Sequence, residues 1–259
     1  DDGESTEDEW NKLTAAAAKC KDLNKRIAEV ADEITRLTDA VNGYDIDKVT
    51  SDDKADVEKL MADIDTLLDG DNLTDTERAA LEALKGTARA LLDRIAAAKD
   101  AAEADEITVI DGITKDNVKL GDKEALETGE KALEGALRDF DGNYTDKEQR
   151  DLETRLETLK AALAAISKAE KAADEIGKLP SADNAKLNDK SALDQVKKLL
   201  DGLTENEKAM LGKDALGKVD ALAEKIKKLA EKANSPKTGD TSNMALWIAL
   251  LFISGGVFA

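Results

Sequence analysis

The sequence predicts an all-α protein, built as tandem three-helix bundles that are joined by long continuous helices in a rod. Its composition is the first reason: Ala, Leu, Lys, Glu and Asp dominate the 259 residues, and only 3% are aromatic. Such a composition is typical of long helices with a charged surface. A sheet protein needs far more β-branched and aromatic residues. Recurring helix-start signals and recurring apolar stripes are the other two reasons.

The helix-start signal Thr-x-x-Glu opens each repeat, at Thr6, Thr74, Thr145 and Thr204. In such a capping box the Thr hydroxyl accepts from the backbone N–H three residues on, and the Glu reaches back to the Thr N–H. The string Ala-Asp-Glu-Ile recurs in the same way, starting at Ala31, Ala104 and Ala173. Successive copies are about 60 to 73 residues apart, and repeats of this length indicate an array of similar modules.

Long helices are predicted to begin at these signals, with apolar residues every three or four positions as in a coiled coil. The first runs from about Glu7 to Val41 and carries Trp10, Leu13, Ala17, Cys20, Ile27, Val30, Ile34, Leu37 and Val41. The second starts at about Asp75 and carries Leu81, Leu84, Ala88, Leu91, Ile95, Ala98 and Ala102. The third carries Leu152, Leu156, Leu159, Leu163, Ile166, Ala173 and Ile176.

Shorter helices are predicted between the long ones, over about Asp53 to Leu68, Lys123 to Phe140 and Ser191 to Leu200. A long helix is about 50 Å and a short one about 25 Å at 1.5 Å per residue, so one long helix serves two bundles. Neither Gly nor Pro occurs in residues 96–104, so the helix is expected to continue there. This layout resembles the spectrin-type connection, in which a continuous helix joins successive bundles, and it implies a spectrin-like rod.

The predicted domains follow from this sharing of helices. Residues 1–23 are the end of a preceding helical module, and residues 24–97, 98–166 and 167–233 are three-helix modules. Residues 234–259 are a separate C-terminal segment, which ends in an apolar run predicted to be a helix and carries no basic tail.

Charge and residue types exclude several functions. A net charge of −19 repels nucleic acid, so no nucleic-acid partner is expected. The chain has no His, and its one cysteine, Cys20, lies on the apolar stripe, where it is expected as a small buried residue. We therefore expect neither an enzyme nor a bound cofactor.

A partial calcium-site pattern occurs at Asp139, Asp141 and Asn143, which fit loop positions 1, 3 and 5 of a helix–loop–helix site. Positions 6 and 12 are Tyr144 and Arg150 instead of Gly and Glu, so the pattern fails and no metal is expected. An interhelical turn with side-chain caps is the better interpretation.

The C-terminal segment carries a motif, Ser235-Pro236-Lys237-Thr238-Gly239, followed by the uncharged run 244–259. This arrangement resembles the sorting signal of Gram-positive cell-wall proteins, Leu-Pro-x-Thr-Gly before an apolar segment, with Ser235 in place of Leu. The resemblance implies cleavage by a sortase between Thr238 and Gly239, attachment to peptidoglycan, and membrane contact through 244–259 before processing. A plain membrane anchor after a turn is the alternative.

The repeats add a second resemblance, carried by Leu203–Leu211 and its counterparts Leu73–Leu81 and Tyr144–Leu152. They resemble the helical repeats of wall-anchored surface proteins from clostridia and their relatives. This resemblance implies a cell-surface protein and specifies no ligand. The chain also resembles, in anchor and bundle type, Gram-positive surface proteins that bind immunoglobulin or albumin through three-helix modules, which suggests that its bundles bind a host protein such as immunoglobulin. The candidate contacts are outward residues of one helix pair, Tyr44, Lys59 and Met61. The alternative is a stalk that binds nothing and projects another domain from the wall.

Overall fold

A computed structural model describes residues 6–70 and 73–234, and over these residues the protein is all-α, as the sequence predicts. The helices are α1 (Glu7–Asn42), α2 (Lys54–Leu68), α3 (Asp75–Ala102), α4 (Asp105–Thr108), α5 (Lys123–Asp139), α6 (Asp146–Lys178), α7 (Lys190–Asp201) and α8 (Glu205–Asn234). Single 3₁₀ turns at Ser51–Asp53, Leu120–Asp122 and Leu187–Asp189 lead directly into α2, α5 and α7.

Capping boxes start the long helices at the predicted threonines. At the start of α6 the Thr145 N–H donates to Glu148 over 2.8 Å, and the Glu148 N–H donates to the Thr145 hydroxyl over 3.3 Å. The same pair of bonds forms at Thr6, Thr74 and Thr204. Each box satisfies N–H groups that have no partner inside the helix, which explains why the four boundaries were predictable.

The chain divides into two compact units, the first containing Asp1–Asp111 and Thr128–Glu157, the second Gly112–Glu127 and Thr158–Ala259. Helices α5 and α6 contribute residues to both. The core of the first unit is a three-helix bundle formed by the end of α1 with α2 and α3. Its most buried members are Leu37, Val41, Val57, Ile64, Leu81 and Ala88.

The second unit has a core of the same kind, formed by the end of α6 with α7 and α8. It contains Ile176, Leu179, Leu193, Val196, Val219, Leu222 and Ile226. The α8 helix is interrupted at Gly212, whose φ of 76° lies outside the helical region. The predicted stripe of the third long helix is corrected at Ala173, which is exposed, whereas Ala169 and Ala172 are buried. Two further members of the predicted stripe, Leu156 and Leu163, are only half-buried.

The second long helix ends earlier than its sequence predicts. It stops at Ala102, Glu103 leaves the helical conformation, and Ala104 has a ψ of 146°, far from the helical value. The chain then resumes as the single turn α4. This break re-aims the backbone so that Ile107 is fully buried and Ile110 nearly so. Burial of two large apolar side chains therefore outweighs local helix propensity, which is a weak preference for any one residue.

The predicted burial of the first stripe is wrong over the front part of α1. Trp10, Leu13 and Ile27 are exposed to 60%, 62% and 50%, whereas Leu37 and Val41 are fully buried. The physical reason is that α2 and α3 pack only against the end of α1, so the preceding turns contact no other described helix closely enough to be covered.

Candidate functional site

The predicted sorting signal lies outside the residues that the structure describes. This applies to Ser235, Pro236, Lys237, Thr238 and Gly239, and to the apolar run 244–259. Within the described ranges, none of the helices combines the length and the apolar character that crossing a bilayer requires.

The three candidate contacts for a host protein lie in the first unit. Tyr44 and Met61 are partly buried and pack against its core, and Lys59 is exposed on α2. Burial also raises the pKa of the Tyr44 hydroxyl, with the nearby Asp56 and Asp53 carboxylates adding to the shift. Two of the three side chains therefore have a packing role, which leaves Lys59 as the freely accessible member.

Cys20 is exposed, so the expectation that it is a buried apolar residue is wrong. The cause is the same as for Leu13 and Ile27: within residues 6–70 and 73–234, no neighbouring helix covers the front of α1. A further correction concerns Asn143, which does not cap its own turn but bonds to distant parts of the chain.

Asn143 is the centre of a buried contact that we call the first joint, where the loop before α6 meets the loop between α1 and α2. Its side-chain amide donates to the Ile46 and Val49 carbonyls, each over 2.9 Å, and its oxygen accepts from the Arg94 Nε over 2.7 Å. Asn143 is only 2% exposed. One side chain thus satisfies two loop carbonyls almost 100 residues away, and a buried carbonyl without a partner is costly.

Tyr144 and Arg94 complete the first joint. The buried Tyr144 hydroxyl donates to the Ala98 carbonyl in α3 over 3.0 Å, and burial raises its pKa to about 12. The Arg94 guanidinium lies 4.4 Å from the centre of the Phe140 ring and donates to the Asp139 carbonyl over 2.8 Å. The loop is therefore bonded both to α3 and to the α1–α2 loop, which fixes its orientation.

The capping glutamate of α6 also takes part in the first joint. The Ser51 hydroxyl donates to the Glu148 carboxylate over 2.7 Å. Burial raises the pKa of Glu148, but the hydrogen bonds from Thr145 and Ser51 outweigh it, and the pKa lies below its usual value. Glu148 is therefore held as a carboxylate, the form that accepts these bonds.

A cleft of about 250 Å³ opens beside the first joint, between the end of α3 and the start of α6. Lys99, Glu103, Tyr144, Glu148 and Arg155 contribute its polar groups. Arg155 is already engaged, because it donates to the Asp111 carboxylate over 2.6 Å. The cleft is smaller than the pockets of roughly 300–1,000 Å³ that hold small molecules, so it is not a strong candidate for a ligand site.

A second joint of the same design lies in the second unit. The Asn206 side-chain amide donates to the Lys115 and Val118 carbonyls, each over 3.0 Å. These carbonyls lie 69 residues after those of Ile46 and Val49, the acceptors of the first joint. Asn206, however, follows its capping Thr, whereas Asn143 precedes its own. The two repeats therefore satisfy equivalent carbonyls with asparagines from different sequence positions.

The capping glutamate of the second joint, Glu207, is 2% exposed and lies 3.4 Å from the Lys168 ammonium. Burial raises the pKa of Glu207. The hydrogen bonds from Thr204 and the positive charge of Lys168 together outweigh that effect, so the pKa lies below its usual value. Both joints thus place a partly or fully buried, charged capping glutamate where two repeats meet.

The turn before each short helix is a third recurring element. Asp53, Asp122 and Asp189 accept from the backbone N–H three residues earlier, at distances of 2.9, 2.8 and 2.7 Å. In the turns before α5 and α7 the same position carries an exposed leucine, Leu120 at 43% and Leu187 at 45%. The first repeat has Ser51 there, the residue that bonds Glu148.

Sequence reasoning missed these joints and turns. An Asp-Lys pair at 53–54, 122–123 and 189–190 marks each turn and was available as a signal. No sequence signal marks the asparagines, since their positions differ between the repeats. Comparison of the chain with protein-family models, with curated proteins and with solved structures gives no match.

Proposed function

We propose that this protein is a wall-anchored bacterial surface protein whose helical repeats act as a structural arm. The observation that carries the arm is the pair of joints, in which equivalent loop carbonyls are held by Asn143 and Asn206. Side-chain bonds of this kind fix a loop of one repeat to the next repeat, which suits a protein that must hold its repeats in register. The anchor rests on the resemblance of Ser235–Gly239 to a sorting signal.

The anchor is tested by secretion of the chain, behind a signal peptide, from a Gram-positive bacterium that carries a sortase. Mass spectrometry of wall fragments after digestion of the peptidoglycan then identifies the C-terminal residue. We expect Thr238 joined to a peptidoglycan amine, and loss of that linkage in a Thr238→Ala variant. Recovery of protein that retains residues 239–259 contradicts the proposal.

A second function, binding of a host protein, is favoured by one specific observation. Leu120 and Leu187 are exposed at equivalent positions of two repeats, so both repeats present an apolar side chain at the same place. They are better candidates than Tyr44 and Met61, which pack against the core. Lys59 stays a predicted contact for a host protein, as the sequence suggested.

Binding is tested by immobilising the chain and exposing it to purified immunoglobulin and albumin. A specific host partner is expected to lose affinity in a Leu120→Ser, Leu187→Ser double variant. The matched control is an Ile46→Ser variant, which removes an apolar side chain of similar exposure from a different loop. Equal retention by the double variant and the control rules out this surface. Retention of neither protein contradicts binding of immunoglobulin and albumin by this chain.

A further inference from the structure

The front of α1 presents an apolar face that the rest of the described chain leaves open. We call this face the α1 stripe and define it by Trp10, Leu13, Cys20, Leu23, Ile27 and Val30. Four large apolar side chains of this stripe are exposed to about half or more: Trp10, Leu13, Leu23 and Ile27, with Leu23 at 49%. Contiguous exposed apolar surface of this kind marks a contact site on a folded protein.

We propose that the α1 stripe is a docking surface for an acidic helical hairpin of the type formed by residues 34–68 of this same chain. The hairpin consists of the end of α1 and α2, and it would lie against the front of α1 as residues 34–68 lie against α3. This proposal does not depend on where in the cell the protein resides.

The equivalent positions on α3 show how such an apolar face is covered in the next repeat. Counted from the capping threonines Thr6 and Thr74, Leu13 corresponds to Leu81 and Ile27 to Ile95. The same count matches Cys20 with Ala88, Leu23 with Leu91 and Val30 with Ala98. All five residues on α3 are at most 5% exposed. The α1 stripe therefore has the pattern of a face that is fully covered in the next repeat.

The partner that covers the α3 face is the hairpin 34–68. Leu37 and Val41 from α1 and Val57, Leu60 and Ile64 from α2 form one core with Leu81, Ala88 and Ile95. An ion pair across this contact, between the Lys85 ammonium and the Asp65 carboxylate at 2.6 Å, joins α3 to α2. The occupant of the equivalent face is thus known in type: two antiparallel helices with an apolar seam and acidic flanks.

Charge favours the hairpin over a second copy of α1. Between Trp10 and Val30 the chain carries five basic and two acidic side chains, although the whole protein has a net charge of −19. These are Lys12, Lys19, Lys21, Lys25 and Arg26 against Asp22 and Glu29. The α2 segment carries four acidic and two basic side chains. Two α1 stripes face to face would bring like charges together, whereas an α2-type hairpin brings opposite charges.

The α1 stripe lies on a helix that is already formed in the structure. Helix α1 is continuous from Glu7 to Asn42, and its capping box is formed at Thr6. The Lys25–Glu29 pair lies along the exposed part of the helix with N and O 3.6 Å apart. A partner therefore meets a helix whose backbone is already ordered, which removes one entropic cost of association.

The experiment supplies the hairpin by duplication. A copy of residues 31–73 is fused directly ahead of Thr6, so that its last residue precedes Thr6 as Leu73 precedes Thr74. The copy contains no cysteine, so Cys20 remains the lone thiol and reports on the middle of the α1 stripe. The rate at which Cys20 reacts with a disulfide reagent is measured at neutral pH in the fusion and in the 259-residue chain.

We expect Cys20 to react at least about tenfold more slowly in the fusion, because a thiol buried in a bundle reacts only when the bundle opens locally. The matched control is a fusion in which the copied Val57 and Ile64 are both replaced by Asp, which removes the apolar seam of the copy. Its Cys20 is expected to react as fast as in the 259-residue chain. Equal rates in all three proteins overturn the proposal.

A second measurement tests whether a second copy of the chain, and not the hairpin, occupies the α1 stripe. The mass of the 259-residue chain in solution is determined by light scattering, with and without Leu13→Asp. We expect a monomer in both, because like charges oppose pairing of two α1 stripes. A dimer that dissociates when Leu13 becomes Asp assigns the α1 stripe to a second copy of the chain and overturns the proposal.

Discussion

At the residue scale the two joints depend on a few buried polar groups. Asn143 uses both amide protons and its oxygen, and Tyr144 uses its hydroxyl, so these buried groups are paired. No buried side-chain polar atom in the described ranges lacks a hydrogen-bond partner. Polar groups buried with partners specify one arrangement, because a shift of the loop would leave several of them unpaired.

Gly142 is predicted to be far less replaceable than Gly112, although both have a φ close to +80°. A Cβ on Gly142 would lie 2.7 Å from the Asp47 carbonyl oxygen, whereas nothing lies within 4 Å of a Cβ on Gly112. Gly112→Ala should cost about 1 kcal/mol of unfolding free energy for the left-handed backbone alone. Gly142→Ala should cost clearly more, since loop backbone must also move. Urea unfolding of both variants checks this, and equal losses contradict it.

Tyr144→Phe is predicted to reduce stability by about 1 kcal/mol, because the hydrogen bond from the buried hydroxyl to the Ala98 carbonyl is lost. The variant also tests the raised pKa. Folding favours the neutral phenol. The contribution of this group to the free energy of unfolding is therefore fully present below about pH 10 and is lost as the pH rises toward 12. The melting temperature between about pH 9 and pH 11 should therefore fall less steeply in Tyr144→Phe. Parallel curves would contradict the burial of the hydroxyl.

At the element scale, the same helix type has different stability depending on its neighbours. The front of α1 and the front of α3 both begin with a complete capping box and carry matching apolar stripes. Of these two helix fronts, α3 buries its stripe and α1 does not. Most helical stability in proteins comes from packing of the apolar face, so the front of α1 should open more readily than α3.

Leu81→Ala and Leu13→Ala form a matched pair that tests this difference. Leu81 is fully buried, so its truncation should cost roughly 2–5 kcal/mol of unfolding free energy. Leu13 occupies the equivalent position and is 62% exposed, so its truncation should change stability by less than about 0.5 kcal/mol. Chemical denaturation followed by circular dichroism gives both values. A large effect at Leu13 would show that the front of α1 is covered in solution.

At the scale of the whole molecule, tandem repeats share helices and buried carboxylates. Helix α6 is continuous over 33 residues, and its residues contribute to both compact units. Glu148 and Glu207 are capping residues and joint residues at once. Loss of their charge therefore weakens a helix start and a joint together.

Acid should destabilise the protein through these two glutamates. Both glutamates have a lower pKa in the folded protein than in the unfolded chain. Their contribution to the free energy of unfolding is therefore present above the pKa of an unfolded glutamate and is lost as the pH falls through the lower folded pKa values. A Glu148→Gln, Glu207→Gln double variant should be less stable at about pH 7 and should show a weaker loss of stability between about pH 6 and pH 3. Urea titrations over that range measure the difference. An unchanged pH dependence would contradict the assigned shifts.

Much of the fold was predictable because its causes are local. The helix starts at the capping boxes of Thr6, Thr74, Thr145 and Thr204 depend on residues within about one helical turn, and all four starts are confirmed. The short helices are confirmed to within about two residues for the same reason. The break at Glu103 was not predictable, because it depends on burial of Ile107 and Ile110 rather than on a Gly or Pro signal.

The sequence by itself determined the all-α class, the helix starts and the apolar face of each helix, since hydrogen bonds and side-chain spacing within a helix involve neighbours three or four residues apart. Tertiary structure alone decided which faces are covered. Asn143 and Asn206, at different positions of their repeats, bond to carbonyls about 90 to 100 residues away. Leu13 differs from Leu81 because no hairpin of the described residues packs on it. Burial depends on residues that are distant in the chain, and a local pattern does not contain them.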